Sequence, residues 1–293
     1  MKPYRIPQLA KKYVDYDMIQ THTELPPYPD ARVHLLYIFL NQGSRKPSVH
    51  TELLALVTSL VQMGIDTHET IDTIQGKQNE GEMRSRQLKV LAGDYFSSRF
   101  YQLLSQKGQI EAVSTLSAAI CDVNILKMNL YGKMKSLLLS AEEYLRQRVQ
   151  LNMQLFLSFT PFLDDSLKEL WKSLLRGFSE CETVVREMHL SSGSEPFLYS
   201  YSFWHILDVA SDEDKLALKE NRVEPKDWKK MLLKYKAGEH LADKLQQAVN
   251  SVQSILKMVK GDGMFREIGQ VLDPFLRQLN TPGSAVGEGL ARG

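Results

Sequence analysis

Residues 60–105 read LVQMGIDTHETIDTIQGKQNEGEMRSRQLKVLAGDYFSSRFYQLLS. An apolar run recurring at three- and four-residue steps (Leu53, Leu56, Val57, Leu60, Val61, Gly64) predicts a helix with a buried stripe. It ends in a polar cluster, Asp66-Thr67-His68-Glu69 with Asp72. A loop follows, and then Leu88, Leu91, Ala92, Tyr95 and Phe96 set out a second helix. On a helix, residues 65, 68, 69 and 72 share a face, which gathers His68, Glu69 and Asp72 at a helix C-terminus. Carboxylates one turn apart are the hard oxygen ligands that bridge magnesium to a diphosphate. Imidazole is a poor magnesium ligand, so His68 would not join such a set. Taken alone, the cluster also fits a solvated helix end, with His68 favoured by the C-terminal dipole.

Outward from this stretch, the same helical periodicity runs through Ile110–Leu130, Leu137–Phe159, Phe162–His189, His240–Val259 and Phe265–Leu279. No alternating strand pattern or Asn-Gly hairpin signal interrupts it. Breaks fall at Leu25-Pro26-Pro27-Tyr28-Pro29, at Thr160-Pro161 (read as an N-cap and first helical position), at 191–196 and at 221–227. The expected fold is all-α, a bundle of about ten helices forming one domain over residues 1–280. A small, polar, Gly-rich tail over 281–293 is expected to be disordered.

Bulk properties narrow the function. The 293 residues are 43% hydrophobic and 24% charged, with 36 Lys+Arg against 35 Asp+Glu. That balance lacks the basic surface of a general nucleic-acid binder. Cys121 and Cys181 have no CxxC partner and no His at ligand spacing, so we expect reduced, small core residues and neither zinc nor a disulfide framework. No run of about eighteen apolar residues and no signal-peptide core is present, so a cytoplasmic location is expected. The basic stretch 226–236 (KDWKKMLLKYK) reads as a solvated helix face, with peripheral membrane contact as the alternative. The aromatic run Phe197, Tyr199, Tyr201, Phe203, Trp204 reads as packing under a loop, with a long apolar tail of a ligand or a partner as the alternative.

The order of these features resembles trans-prenyl diphosphate synthases. There, Asp-Asp-x-x-Asp ends one helix and Gly-Asp-Tyr sits on the next. Here His68-Glu69-Thr70-Ile71-Asp72 stands where the acid motif would be, and Leu91-Ala92-Gly93-Asp94-Tyr95-Phe96 follows. Asp66-Thr67-His68-Glu69 with Arg86–Ser97 is similar to component 1, the small subunit, of bacterial heptaprenyl diphosphate synthase, over roughly residues 50–132. The resemblance implies an isoprenoid-synthase-like fold. It also implies a heterodimer in which a catalytic large subunit carries the aspartate-rich motifs and the magnesium. The pair would extend farnesyl diphosphate with isopentenyl diphosphate for the menaquinone side chain.

Departures from the full synthase pattern point to a chain that is not catalytic by itself. No Arg-Arg pair follows Asp72, since Arg84 and Arg86 come later and spaced apart. The acid pair Asp164-Asp165 is followed by Ser166-Leu167-Lys168, so a cation stands where the last carboxylate would be. We therefore expect no catalytic residue and no metal site in this chain. His68, Glu69, Asp72 and Asp94 would remain as a vestigial diphosphate pocket. Met63 and Gly64, the positions that set chain length in such synthases, are expected to serve packing. Gly93 is expected to allow close helix approach, with Asp94 reaching toward the acid cluster. The helix carrying Tyr95, Phe96, Phe100 and Tyr101 is apolar nearly all round, so these four residues are expected either to form the partner interface together with helix 110–130 or to be buried in this chain's own core. Two other readings stand beside this one: a self-sufficient magnesium-dependent prenyltransferase with a degenerate motif, and an unrelated helical scaffold. Product length stays open, since hexaprenyl and heptaprenyl systems share the arrangement.

Overall fold

The computed structural model describes residues 3–42, 50–71, 80–191, 193, 200–259 and 261–280. Asp72, Phe197, Tyr199, the break at 194–196 and the tail at 281–293 lie outside them. Among the described residues every regular element is helical, thirteen α-helices and one 3₁₀ turn. The all-α expectation holds. The extra helices come from short segments that a long-window periodicity reading merges: two before Pro26 and three between residues 201 and 234.

The chain divides into two compact units, residues 1–121 with 155–171, and residues 122–154 with 172–293. The first unit opens with α1 (Ile6–Val14) and α2 (Asp17–His22), followed by α3 (Asp30–Asn41), α4 (Thr51–Glu69) and α5 (Glu80–Ser105). Two of these are buried nearly all round. In α4 every residue from Leu54 to Thr67 is buried, and in α3 Ala31–Phe39 is buried save the half-buried His34. A helix apolar on all faces must have neighbours on all faces, so these two form the centre of the unit. Polar side chains inside α4 return their hydrogen bonds to its own backbone. Thr58 Oγ1 donates to the Leu54 carbonyl at 2.7 Å and Thr67 Oγ1 to the Met63 carbonyl at 2.6 Å, which satisfies these two buried hydroxyls. Around the centre, Phe39 meets Trp171 with ring centroids 5.2 Å apart, and the buried Arg32 guanidinium lies over the Phe156 ring at 5.1 Å.

After α5 the chain turns at Gly108, whose φ of +66° is strained for any residue with a Cβ, and enters α6 (Ile110–Lys135). The unit boundary falls inside α6, α7 (Ala141–Leu157) and α8 (Asp165–Ser191). Thr160–Phe162 forms only a 3₁₀ turn, so α8 begins at Asp165 and not at Pro161 as the sequence suggested.

The second unit adds α9 (Tyr201–Val209), α10 (Asp212–Lys219), α11 (Pro225–Lys234), α12 (Ala237–Leu256) and α13 (Asp262–Asn280). Gly177 of α8 is the contact point with α12, because a Cβ there would lie 2.5 Å from Val252 Cγ2. The fully buried Glu187 carboxylate ties three elements together. It accepts from the Tyr144 hydroxyl at 3.1 Å and from the Tyr201 amide at 2.7 Å, which fastens the start of α9. Of the aromatic run, Tyr201, Phe203 and Trp204 are buried in this unit, as ordinary core. The lysines of α11 are exposed while Trp228, Met231 and Leu232 face inward, and Lys230 and Lys234 pair with Asp227 and Asp214 at 2.7 Å each. That is a solvated helix face.

Candidate functional site

The site is built where α4 and α5 cross. Two glycines set the crossing. A Cβ on Gly64 would lie 2.8 Å from the Gly93 carbonyl oxygen and from the Ser97 amide nitrogen, so α4 rests there on the bare backbone of α5. A Cβ on Gly93 would lie 2.3 Å from the imidazole of His68, so that ring lies flat against the α5 backbone. Met63 is buried against Ala92 and Phe96. Gly64 and Gly93 thus serve close helix approach, and Met63 and Gly64 serve packing.

His68 is the pivot of the site. Its Nε2 lies 3.3 Å from the Val90 carbonyl oxygen and 3.3 Å from Asp94 Oδ1. The Val90 carbonyl can only accept, so that contact assigns the ring proton to Nε2, with Asp94 Oδ1 standing beside it. The nitrogen nearest the site is therefore no electron-pair donor to a cation. The His68 and Asp94 side chains are 38% and 66% exposed, which limits the pair to roughly 0–1 kcal/mol of stabilisation. Its role is to fix the ring against Gly93.

The other polar groups are also committed. Asp66 is buried and accepts from Gln62 Nε2 at 2.9 Å. Thr70 Oγ1 donates to the Thr67 carbonyl at 2.8 Å. Lys89, on α5, donates from Nζ to the Thr70 carbonyl at 3.1 Å, placing a cation at the C-terminal end of α4, where the helix dipole favours it. Sequence reading missed Lys89. It lies one helical turn before Gly93, a position that marks it only once the end of α4 is placed. Glu69 is half-buried at the last position of α4, and Asp72 is outside the described residues.

Of the expected cluster only His68, Glu69 and Asp94 are described, and a histidine nitrogen and a lysine ammonium stand at this helix end. Imidazole and ammonium groups are not the hard oxygen ligands magnesium takes, and Asp94 Oδ1 lies 3.3 Å from the His68 ring nitrogen. Among the described residues no three His, Cys, Asp or Glu side chains gather as metal ligands. The second acid pair does no better. Asp165 opens α8 and pairs with Lys168 one turn on, at 2.6 Å, an arrangement of a helix first turn.

The four aromatic residues assigned to an interface divide. Phe96 and Phe100 are buried in this chain's own core, at 0% and 8% exposure, because they share the inward face with Ala92 and Leu104. Tyr101 is 62% exposed and Tyr95 is half-buried. Exposed apolar groups on α5 instead form a stripe through Met83, Val90 and Tyr101, with Leu91 beside it. On α6 two seams run along one helix. Ala112, Leu116, Ala119, Val123, Leu130 and Met134 are buried. Ile110, Ser114, Ser117, Cys121, Ile125 and Met128, spaced 4-3-4-4-3, are all exposed, and not one carries a charge. Cys121 is therefore a surface residue of that second seam and not the core residue expected; only Cys181 is buried.

Comparison with known proteins gives three consistent findings. Residues 16–197 match the family described as heptaprenyl diphosphate synthase (HEPPP synthase) subunit 1. A 94-residue stretch is 34% identical to heptaprenyl diphosphate synthase component 1 of Geobacillus stearothermophilus, spanning 32% of this chain and 40% of that protein. The fold matches a heptaprenyl diphosphate synthase from Staphylococcus aureus, with a TM-score of 0.67 at 11% identity over 94% of this chain and 96% of that one. It also matches a polyprenyl synthase from Caulobacter crescentus CB15 complexed with calcium and isoprenyl diphosphate, with a TM-score of 0.67 at 12% identity over 92% and 93% of the two chains. At such identities the structural likeness establishes the fold alone. No described helix is long and apolar enough to cross a membrane.

Proposed function

The chain belongs to the heptaprenyl diphosphate synthase subunit 1 family, and on that premise we propose that it is the non-catalytic subunit of a two-chain prenyl diphosphate synthase. The partner is a catalytic large subunit of the same fold. Together they elongate farnesyl diphosphate with isopentenyl diphosphate to a heptaprenyl or hexaprenyl chain, for the menaquinone side chain. Each elongation ionises an allylic diphosphate, adds the alkene of isopentenyl diphosphate to the cation and loses a proton. Magnesium, held in the partner, supplies the charge that stabilises the departing diphosphate.

One observation carries the reading: His68, with Nε2 3.3 Å from the Val90 carbonyl oxygen and from Asp94 Oδ1, stands where a synthase needs a free carboxylate. The α4–α5 crossing keeps its shape through Gly64 and Gly93, while the groups on it no longer suit a cation. What this chain contributes is then surface. The uncharged exposed seam of α6 and the Met83, Val90 and Tyr101 stripe of α5 offer apolar faces of the kind a second helical chain buries. In this reading the subunit takes the place of one copy in a homodimer and shapes its partner through that contact.

Size-exclusion chromatography of the chain mixed with the large subunit from the same genome tests it. We expect a one-to-one complex that Met128→Lys combined with Tyr101→Glu disrupts, while each chain stays folded. Separate elution of the unmodified chains contradicts the proposal.

A further inference from the structure

A cleft of about 280 Å³ opens in the first unit between α1, α2 and α5, away from the His68 site. Lys12, Tyr13, Tyr16, Tyr95, Arg99 and Gln102 line it. On α5, Arg99 lies five residues from Asp94, about 140° around the helix, so the cleft and the His68–Asp94 pair use different faces.

The charges in this cleft are uncompensated. The Arg99 guanidinium spends its two terminal nitrogens on neutral partners, the Gln102 side-chain oxygen and the Tyr95 hydroxyl, the latter at 2.8 Å. Its Nε is buried with no hydrogen-bond partner. Two rings hold the guanidinium in place, Tyr95 at 4.3 Å and Tyr13 at 5.9 Å from its carbon. The Lys12 ammonium stands over the same Tyr13 ring at 4.9 Å. Two cations thus flank one tyrosine, no carboxylate lines the cleft, and neither cation pairs with an acid among the described residues. A buried donor left without a partner costs stability, and a guanidinium stacked between rings with no counter-charge favours an anion nearby.

We propose that this cleft binds a phosphate monoester, held between the Arg99 guanidinium and the Lys12 ammonium. A phosphate monoester carries roughly −1.5 to −2 at neutral pH, which matches two cations, and it has three acceptor oxygens. A lone carboxylate would leave one cation unmatched. The tyrosine hydroxyls and the Gln102 amide supply further donors. The monoester comes either from a free metabolite or from a phospholipid headgroup. The inference does not depend on the subunit assignment, because the site lies wholly within this chain.

The full chain is titrated by calorimetry with glycerol 3-phosphate, and in a separate arm by co-sedimentation with phosphatidylcholine vesicles, plain or doped with phosphatidic acid. We expect saturable binding in at least one arm, weakened at least tenfold by Arg99→Gln and by Lys12→Gln and less by Arg99→Lys, and falling as salt rises. Binding confined to the soluble ligand assigns the site to a metabolite; binding confined to doped vesicles assigns it to a lipid headgroup. Lys12 is exposed, so Lys12→Gln reports on the site even if Arg99→Gln disturbs the fold, which circular dichroism checks. No binding in either arm, or binding that both variants leave unchanged, overturns the proposal.

Discussion

His68 and the two glycines beneath it decide how the α4–α5 crossing behaves under substitution. At Gly64 the atoms in the way are backbone, the Gly93 carbonyl oxygen and the Ser97 amide. They cannot move without parting the helices, so Gly64→Ala is expected to cost roughly 1–3 kcal/mol, the usual range for overpacking. At Gly93 the obstacle is the His68 ring, which can swing out. Gly93→Ala should therefore cost less than Gly64→Ala and cancel most of its own cost when combined with His68→Ala; urea denaturation of the single and double variants checks both. That Gly93 and Asp94 belong with His68 was legible in the sequence, because the motif order placed them on facing helices. Lys89 was not, since a lysine on a helix has no address until the neighbouring helix end is placed.

Glu187 supports a second expectation at this scale. Burial raises its carboxyl above the ordinary value, against the pull of Arg148, the Tyr201 amide and Arg186. The folded state then holds its proton to higher pH than the unfolded state does. Stability from this group is present below the ordinary carboxyl range and is lost as pH rises through the raised value. Glu187→Gln should remove that loss, giving a flatter Tm-against-pH curve than the unmodified chain, by differential scanning calorimetry. A curve with unchanged slope would show that Glu187 is not the group responsible.

Among the elements, α6 carries the most functional information. An ordinary surface helix has one apolar stripe and one charged face. In α6 both faces are uncharged along most of the length, and only one is covered by this chain. The periodicity around Ile110–Leu130 showed an apolar helix, but periodicity alone does not say which of two seams faces inward. The same limit explains α5. Tyr95, Phe96, Phe100 and Tyr101 read as one aromatic set, yet Phe96 and Phe100 belong to the core and Tyr101 to the surface. Phe100→Glu should therefore unfold the first unit, at a cost of 3 kcal/mol or more on the order expected for losing a buried phenylalanine, whereas Tyr101→Glu should leave the melting curve nearly unchanged. Cys121 offers a direct probe of the seam, since Cys181 is buried. Maleimide should label Cys121 quickly in the isolated chain and at least tenfold more slowly in the complex with the large subunit. Equal rates would place the interface elsewhere.

For the molecule as a whole, the helical class and the synthase-like order of motifs could be read before any coordinates. Apolar periodicity is repeated in nearly every segment, and Pro-rich breaks bound it. The start of α8 at Asp165 and the short helices between residues 201 and 234 were not legible, because two to three turns carry too few residues to establish a period. The cleft holding Lys12 and Arg99 was equally hidden. Its parts lie 87 positions apart and share no motif. In the proposed reading a synthase-like fold carries His68 and Lys89 where a cation would bind, and the chain acts through its surface. The most direct test is prenyl transfer from labelled isopentenyl diphosphate to farnesyl diphosphate, with magnesium, by this chain alone, by the large subunit alone and by the two mixed. The account predicts a long-chain product from the mixture and none from this chain by itself. Turnover by this chain alone would contradict it.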